Sequence, residues 1–558
     1  MTRRAVRWFL CAALLPFPSA VLVAQHEEHA HGPDEMAEVG RVHFATSCSP
    51  AAQKEFDRAV ATLHSFWYEE AEKTFRAVAA SDPRCAMAWW GVAMSAYHPI
   101  WYPPTPADLA KGREALAKAR AIGGGSEREK AYLSALEVFY ADSERVDHRT
   151  RATAYERAME QVAERYPEDR EASVFYALAL LWTLAVSPAD EANPRKAAAV
   201  LDRIGAEMPD HPGVLHYSIH AYDTPNLAHL GLNAANRYAK VAPAVPHALH
   251  MPSHIYTRLG LWSESIASNT ASAKAGRDFA QRTGMRGAWS QELHALDYLE
   301  YAYLQRGDDA GAKRILERIR EVRGAEPVDT TSAYALAAVP VRYAVERGRL
   351  EELRTAELSP ADFPWKEFPV TEAMTRWGRA LAASRAGDSE GARREIDRLA
   401  ALRDAARSQT GYDWASVIEV LRLEGEAVLA GASGSKDEAV RLLSAAAELE
   451  DATPKHAVTP GPIRPARELL AETLAAAGRP QDASREYARA LQAAPNRFRS
   501  LIGAARAAAA AGKPDLARDY SQKLVAATDP SSSRPELQEA RKLLDAAPAK
   551  SAASSSGR

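Results

Sequence analysis

The sequence has little net charge, few chain-breaking residues and few cysteines. Its 70 lysine and arginine residues are nearly balanced by 73 aspartate and glutamate residues, for a formal charge of −3. This balance gives no reason to expect nucleic acid or an anionic membrane as a partner. The 30 glycines and 33 prolines in 558 residues exclude a collagen-like or low-complexity chain, and a hydrophobic fraction of 47% excludes global disorder. The length indicates several domains or an elongated array of repeats.

Long apolar runs are absent except at the N terminus. Arginines at positions 3, 4 and 7 precede an apolar run from Trp8 to Ala24, which contains Pro16 and Pro18 and ends in small residues. This arrangement predicts a cleaved secretory signal peptide over residues 1–24, the alternative being a retained N-terminal anchor. A membrane span needs about 20 apolar residues, and no later segment fits. We therefore predict an exported protein, periplasmic or secreted, without an integral membrane span.

The predicted export makes a disulfide between cysteines plausible on chemical grounds. Cys11 belongs to the predicted signal peptide, so the mature chain keeps Cys48 and Cys85. In an oxidising compartment two cysteines often pair. We predict a Cys48–Cys85 disulfide, and the alternative is two buried free thiols.

Strand patterns are also scarce, and the chain is instead rich in Ala, Leu, Glu and Arg, with apolar residues three and four apart. Short breaks with glycine, aspartate or proline separate these segments, which predicts an all-α fold of short paired helices. A spacing of 34 residues recurs between residues of the same type. It separates Gly478 from Gly512, Ala483 from Ala517, Pro209 from Pro243, and Tyr222 from Tyr256.

These spacings, together with the small and aromatic positions between Ala466 and Pro495, resemble the tetratricopeptide-repeat (TPR) superfamily over most of the mature chain. The resemblance implies stacked helix pairs that form a right-handed superhelical solenoid, with the first helix of each pair lining a concave groove. The phrase HALHMPSHIY, residues 247–256, is also similar to one in a subgroup of exported bacterial TPR proteins.

Changes in composition divide the rest of the chain into segments. We predict a flexible, histidine-bearing lead over residues 25–45, a TPR-like solenoid over 46–450, a Pro-rich linker over 451–465, a C-terminal TPR pair with a capping helix over 466–547, and a disordered tail over 548–558.

Histidines are concentrated in one part of the solenoid. Half of the 16 histidines lie between residues 211 and 294. His216 and His220 are four residues apart, which places them on one face of a helix, and His250 and His254 repeat this pair 34 residues later. In the repeat register that the resemblance implies, both pairs face the concave groove from adjacent helices.

Further candidates follow from the same register. With an insertion between repeats, His294 and Asp297 also fall on the groove face. Asp223 follows His220 by three residues, and Arg258 lies near the groove face of its own helix.

Converging imidazoles are suited to a metal ion, because imidazole is the commonest protein ligand of Zn²⁺ and also suits copper. Asp223 or Asp297 would orient a ligating imidazole or act as a base, and an ion with an open position would support hydrolysis. The predicted ligands are His216, His220, His250, His254 and His294.

Three interpretations of these histidines stay open: a metal or small-ligand site, a polar groove lining for a partner, or structural packing. We predict an exported scaffold that binds a protein or peptide partner in its concave groove. The repeat architecture favours binding over catalysis, because such arrays offer long grooves and seldom do chemistry. The rival hypothesis is a Zn- or Cu-binding protein, with a metal-dependent hydrolase as its catalytic form. The sequence has no His-Glu-x-x-His motif of metalloproteases.

Overall fold

The structure is a computed structural model that describes residues 38–100, 103–123, 125–182, 191–409 and 411–546. The predicted signal peptide, the predicted tail and residues 25–37 of the predicted lead lie outside these ranges. Among the described helices, none combines the length and the apolar character that crossing a membrane requires.

The described residues fold almost entirely into helices. The N-terminal section comprises α1 (Pro50–His64), α2 (Tyr68–Ser81), α3 (Ala86–Tyr97), α4 (Pro106–Ile122), α5 (Glu127–Tyr140), α6 (His148–Arg165), α7 (Arg170–Trp182) and α8 (Ala192–Glu207). The middle section comprises α9 (Pro212–Tyr222), α10 (Leu232–Val241), α11 (Pro246–His250), α12 (Pro252–Leu259), α13 (Trp262–Thr283), α14 (Ser290–Arg306), α15 (Asp309–Glu321) and α16 (Thr330–Glu346).

The C-terminal section continues the same pattern. It comprises α17 (Pro369–Arg385), α18 (Ser389–Ala406), α19 (Trp414–Ala432), α20 (Lys436–Ala452), α21 (Ala466–Ala476), α22 (Pro480–Ala493), α23 (Phe498–Ala510), α24 (Pro514–Ala527) and α25 (Pro535–Ala546). Two short strands, β1 (Ala288–Trp289) and β2 (Ala325–Glu326), pair in parallel within the middle section.

Packing runs mainly between neighbours in the chain. Most helices pack against the next one, and several, such as α7 with α9 and α17 with α19, also against the next but one. The apolar cores follow the same order, from a large N-terminal core to smaller ones near the C terminus. The predicted all-α superhelical solenoid of stacked helix pairs is therefore confirmed, and the chain is a helical repeat scaffold.

Local sequence explains where helices begin and end. Thr105 and Ser126 form capping boxes with the third residue of α4 and α5, which satisfies amides that a helix start leaves unpaired. Gly260 and Gly307 end α12 and α14 with φ values of 66° and 72°. A left-handed conformation of this kind costs little for glycine and more for other residues.

The C-terminal section contacts the middle of the solenoid. Trp262 Nε1 donates a hydrogen bond to the carbonyl of Asn496 at 3.0 Å, and the amide of Asp529 donates to the carbonyl of Arg306 at 2.8 Å. A Cβ at position 260 would lie 2.3 Å from the carbonyl oxygen of Pro495. The close contact with the C-terminal section therefore also favours glycine at this turn.

Part of the predicted lead belongs to the N-terminal core. Val42 and Phe44 are buried, and the Phe44 ring lies 5.7 Å from that of Phe56 and 5.4 Å from that of Trp90. The amide of Phe44 also donates to Asp57 at 3.0 Å. These contacts tie residues 42–44 to α1 and α3, whereas the polar composition of the lead as a whole suggested flexibility.

A disulfide joins Cys48 to Cys85. Cys48 immediately precedes Ser49, the residue that caps α1, and Cys85 is the residue before α3. The bond therefore fixes the beginning of the solenoid to its second helix pair.

Loss of this disulfide should destabilise the protein. Replacing Cys48 and Cys85 by serine should lower the free energy of unfolding by about 2–4 kcal/mol, because it releases a closed loop from the unfolded chain. The two cysteines are 37 residues apart. Denaturant titration of the native and C48S/C85S proteins measures the difference, and a reductant should destabilise only the native protein. Equal midpoints for the two proteins would contradict the prediction.

Candidate metal centre

Histidines from four helices of the middle section, α9, α11, α12 and α14, meet in one region of the structure. They form two sets of three, and within each set one ring nitrogen of every residue lies within 4.8 Å of those of the other two. We call these sets triad A and triad B. Triad A consists of His216, His220 and His247, and triad B of His250, His254 and His294. Five of the six are buried and His220 is partly buried.

Two prolines shape this arrangement. Pro246 begins α11 and Pro252 begins α12, so the phrase HALHMPSHIY folds into two short helices rather than one. Proline is well tolerated at a helix start, where its missing amide would be unpaired anyway. The spacing of three and four residues places His247, His250 and His254 along one side of this segment.

In triad A the ring nitrogens of three residues converge. His216 Nε2 lies 3.2 Å from His220 Nε2 and 3.2 Å from His247 Nε2. On the other side of its ring, His216 Nδ1 lies 2.6 Å from the carbonyl oxygen of His64. Since a carbonyl only accepts, Nδ1 carries the proton of the neutral ring and Nε2 presents its lone pair to the other two histidines.

In triad B two ring orientations are fixed from behind. His250 Nδ1 lies 2.6 Å from Asn269 Oδ1, and His254 Nδ1 lies 2.9 Å from Asp223 Oδ2. The Asn269 amide group donates from Nδ2 to the carbonyl of Ser265, which fixes Oδ1 as the atom facing His250. Both Nδ1 atoms therefore donate, and both Nε2 atoms lack a proton in the neutral rings.

These two bare nitrogens face each other. His250 Nε2 and His254 Nε2 are 3.0 Å apart, a distance at which two lone pairs repel unless a cation or an added proton lies between them. Two Zn–N bonds of about 2.05 Å at the tetrahedral angle would place their nitrogens about 3.3 Å apart. The spacing in both triads is close to that of two ligands on one ion.

Burial keeps the imidazoles neutral. It lowers the pKa of every histidine in the two triads below the usual 6.5, and it lowers the pKa of His216 to about 3. A neutral imidazole is the form that ligates a metal ion. The buried environment therefore disfavours protonation of these rings. In the neutral form they can bind a metal cation.

A charged group supports His254. Asp223 accepts from Arg258 Nε at 2.7 Å and pairs with Lys455 Nζ at 3.3 Å. Burial alone would raise the pKa of Asp223, but the positive charges of Lys455 and Arg258 and the His254 hydrogen bond lower it well below its usual range. Asp223 is therefore ionised and holds the His254 ring in the orientation that a ligand requires. Both sequence candidates, Asp223 and Arg258, lie at this position.

Asp297 lies in a different environment. Its Oδ1 accepts from Arg342 Nη1 at 2.6 Å, and the same Arg342 nitrogen lies 2.9 Å from Glu300. Burial raises the pKa of Asp297, opposed by the charge of Arg342. The structure thus places Asp297 in an ion pair with α16, whereas the sequence placed it beside the histidines.

Sequence reasoning omitted four residues of this centre. His247 lies within the HALHMPSHIY phrase, three residues before His250, a helical spacing that could have identified it. Lys455 and His456 come from the Pro-rich segment between α20 and α21, and Asn269 comes from α13. No local signal marks these three, because each reaches the centre only through the tertiary fold.

The Pro-rich segment covers the centre. The Tyr298 hydroxyl contacts the carbonyl oxygens of Ala457 and Thr459 at 3.0 and 2.9 Å, and the Tyr298 ring lies 4.8 Å from His250 and 5.1 Å from His254. A small cavity remains beneath the segment. It is lined by Ile100, His220, His247, His254, His294, His456, Ala457 and Val458.

A neighbouring group with histidines provides a contrast. His64 Nε2 and His211 Nε2 each lie 2.8 Å from Glu171. The Tyr217 hydroxyl donates to His64 Nδ1 at 2.9 Å, and the amide of Val214 donates to His211 Nδ1 at 3.2 Å. Every ring nitrogen here has a complementary partner, so this network is satisfied without a cation. Triad B is not satisfied in this way.

Comparison with known proteins adds little to this geometry. The chain matches no protein-family model and no curated protein sequence. Among solved structures, it is similar to the human IFIT1 dimer with m7Gppp-AAAA (14% identity, 90% of this chain and 97% of that chain, TM-score 0.36) and to the APC/C hetero-tetramer Cut9-Hcn1 (12% identity, 89% and 90%, TM-score 0.30). It is also similar to the P58(IPK) TPR domain (14% identity, 68% and 98%, TM-score 0.20). TM-scores this low transfer no functional property to this chain.

Proposed function

We propose that this protein binds Zn²⁺ or copper through the histidines of triads A and B. The observation that carries the proposal is the 3.0 Å contact between two Nε2 atoms, His250 and His254, whose protons are both committed to Nδ1. A metal ion between these nitrogens converts a repulsion into two bonds. The candidate ligands include the five predicted from the sequence and add His247.

Burial favours this function over a peptide-binding groove at the same place. Residues His216, His250 and His254 are at most 2% exposed, and residues 456–458 of the Pro-rich segment line the cavity beside His254. An extended peptide would have to displace this segment to reach the imidazoles. A protein partner elsewhere on the helical scaffold stays a prediction from the sequence.

The structure supports metal-dependent hydrolysis less well than it supports metal binding. A metal-dependent hydrolase needs a base beside the ion, and the sequence offered Asp223 and Asp297. Asp223 is engaged by Arg258, Lys455 and His254, and Asp297 is engaged by Arg342. Neither carboxylate lines the cavity.

Export is part of the proposal. The Cys48–Cys85 disulfide supports an oxidising compartment, because such bonds rarely persist in the reducing cytosol. We therefore propose a metal-binding protein of the periplasm or the extracellular space.

Metal analysis tests the proposed function. The protein purified without a histidine tag should contain stoichiometric zinc or copper, and a His250→Ala/His254→Ala variant should bind at least about 100-fold more weakly, because it loses two ligands of one ion. His229 is exposed and lies outside both triads, so His229→Ala is the matched control and should bind like the native protein.

One result would overturn the proposal. The alternative to a metal is an added proton between the two nitrogens, which ¹⁵N NMR of the imidazoles detects directly. Failure of the native protein to bind zinc or copper would overturn the proposal, and a second proton on His250 or His254 at neutral pH would then account for the short contact. Far-ultraviolet circular dichroism of the double variant confirms that it is folded.

A further inference from the structure

The two triads lie side by side. Between them, the ring centroids of His220 and His254 are 6.0 Å apart and those of His247 and His250 are 6.1 Å apart. Within triad B alone, centroid distances reach 6.2 Å, between His254 and His294. Two ions, one in each triad, would therefore be neighbours rather than independent sites.

The cavity lies between the two triads. His220 and His247 of triad A and His254 and His294 of triad B all line it. A small molecule in this cavity would contact ligands of both ions at once. This is the position of a bridging ligand in a two-ion centre, in which the ions lie about 3.5–4 Å apart.

The donor set distinguishes between metals. Each triad supplies three neutral imidazoles, and no carboxylate lines the cavity among the described residues. Di-iron and di-manganese centres in helical proteins rely on glutamates as well as histidines. Imidazole alone suits copper and zinc, so the choice lies between these two.

Charge favours copper. The centre contains the anion Asp223 and the cations Arg258 and Lys455, so the protein brings no surplus negative charge to a pair of ions. Burying uncompensated charge is costly, and two Cu(I) ions bring two positive charges where two Zn²⁺ ions bring four. A buried, all-imidazole pair is therefore better suited to Cu(I).

We propose that triads A and B form a dicopper centre that binds dioxygen as a bridging peroxide. The inference rests on the proposed metal-binding function and names the metal, the ion count and the ligand. Each Cu(I) ion gives one electron to dioxygen, so that two Cu(II) ions and one peroxide dianion result. The O–O double bond becomes a single bond, copper–oxygen bonds form, no proton moves, and release of dioxygen reverses the step.

Binding of dioxygen leaves the charge of the centre unchanged. Two Cu(I) ions carry two positive charges, and two Cu(II) ions with one peroxide dianion also carry two. The net charge in the buried centre is therefore unchanged, and no side chain has to supply or remove a proton to compensate.

The wall of the cavity suits this ligand. Ile100, Ala457 and Val458 form its apolar part. An apolar wall admits a small neutral molecule more readily than a charged substrate. Dioxygen fits this description, and residues 456–458 of the Pro-rich segment close in on the cavity beside the histidines.

Anaerobic loading with Cu(I) tests the inference. The loaded protein should contain two copper ions per chain and should develop an intense near-ultraviolet peroxide-to-copper charge-transfer band when dioxygen is added. The oxygenated protein should be silent in electron paramagnetic resonance (EPR), because two Cu(II) ions joined by one bridge couple their spins. Removal of dioxygen should abolish the band.

Two variants separate the triads. His220→Ala removes a ligand of triad A and His294→Ala one of triad B, and each should bind one copper ion tightly, lose the band and show the EPR signal of an isolated Cu(II) ion after oxidation. His229→Ala is again the control and should retain two coppers and the band.

Each contrary outcome has a distinct meaning. Two coppers without the band, or with two independent Cu(II) signals, would overturn the dicopper inference and leave the proposed metal-binding function standing. Binding of zinc but not copper would do the same. Binding of neither metal would overturn both.

Discussion

Replacing Arg497 by methionine should lower the free energy of unfolding by about 3–5 kcal/mol. Arg497 precedes α23 and is fully buried. Its Nε donates to Glu468 at 2.8 Å, its Nη2 pairs with Glu346, and its Nη1 donates to the Tyr301 hydroxyl at 3.2 Å. The substitution leaves the buried Glu346 without this partner, whereas Glu468 keeps the Ser500 hydroxyl at 2.7 Å and longer ion pairs with Arg464 and Arg499 at 3.5 Å. An uncompensated buried charge is the costly part of a broken ion pair.

The position of Arg497 explains why the effect reaches beyond one helix. Glu346 ends α16, Tyr301 lies in α14 and Glu468 lies in α21. The guanidinium group thus joins the C-terminal section to the middle section, close to the α14 helix that carries His294. We expect the variant to lose cooperativity as well as stability, because the two sections no longer hold each other through this contact.

Arg506→Met is the matched control. Arg506 lies in α23, the helix that Arg497 precedes, and pairs with Glu539, but its side chain is 52% exposed. Exposed pairs contribute about 0–1 kcal/mol, so this variant should stay within about 1 kcal/mol of the native protein. Urea unfolding followed by circular dichroism measures both. Equal effects of the two substitutions would show that burial of the Arg497 network contributes nothing.

The fold was predictable because its signal is local and repeated. A spacing of 34 residues, helical apolar periodicity and small residues at close contacts recur along the chain, and each repeat packs on its neighbours. Gly503 illustrates the pattern: a Cβ at this position would lie 2.2 Å from the Tyr487 ring of the adjacent helix.

The candidate site was predictable only in part, for a related reason. The pairs His216–His220 and His250–His254 carry the repeat spacing, so sequence alone could align them. Lys455 reaches Asp223 across more than 200 residues of chain, and nothing in its Pro-rich surroundings indicates whether that segment extends from the solenoid or packs into it. The sequence therefore identified histidines on the helices that lie together in the structure and missed the segment that lines the cavity beside them.

Asp297 shows a second limit of sequence reasoning. It follows His294 by three residues in the same helix, a spacing that places both on one helical face. Its partner Arg342 lies on α16, 45 residues later, and a buried arginine attracts a carboxylate more strongly than neutral imidazoles do. Periodicity gives the face of a helix, but the choice among neighbours on that face depends on charges that only the fold brings together.

Acid should destabilise the metal-free protein strongly. Burial lowers the pKa of His98 to about 4 and that of His216 to about 3, from 6.5 in the unfolded chain. Below about pH 6.5 the unfolded state therefore binds more protons than the folded state, so stability falls as pH falls, down to the folded-state pKa. At about pH 5 each of these histidines should remove about 2 kcal/mol relative to about pH 7.5, or about 4 kcal/mol together.

Chelator-treated protein, unfolded by urea at a series of pH values, measures this dependence, and His98→Asn isolates one contribution. His98 has a φ of 49°, a conformation that asparagine tolerates, and asparagine carries no titrating group. The variant should therefore lose about 2 kcal/mol less than the native protein between about pH 7.5 and pH 5, whereas the exposed His229→Asn controls for replacement of a histidine at the surface. A stability that stays level over this pH range would contradict burial of neutral imidazoles. Saturating copper or zinc should move the loss of stability to lower pH, because protons must then compete with the ion for the same nitrogens.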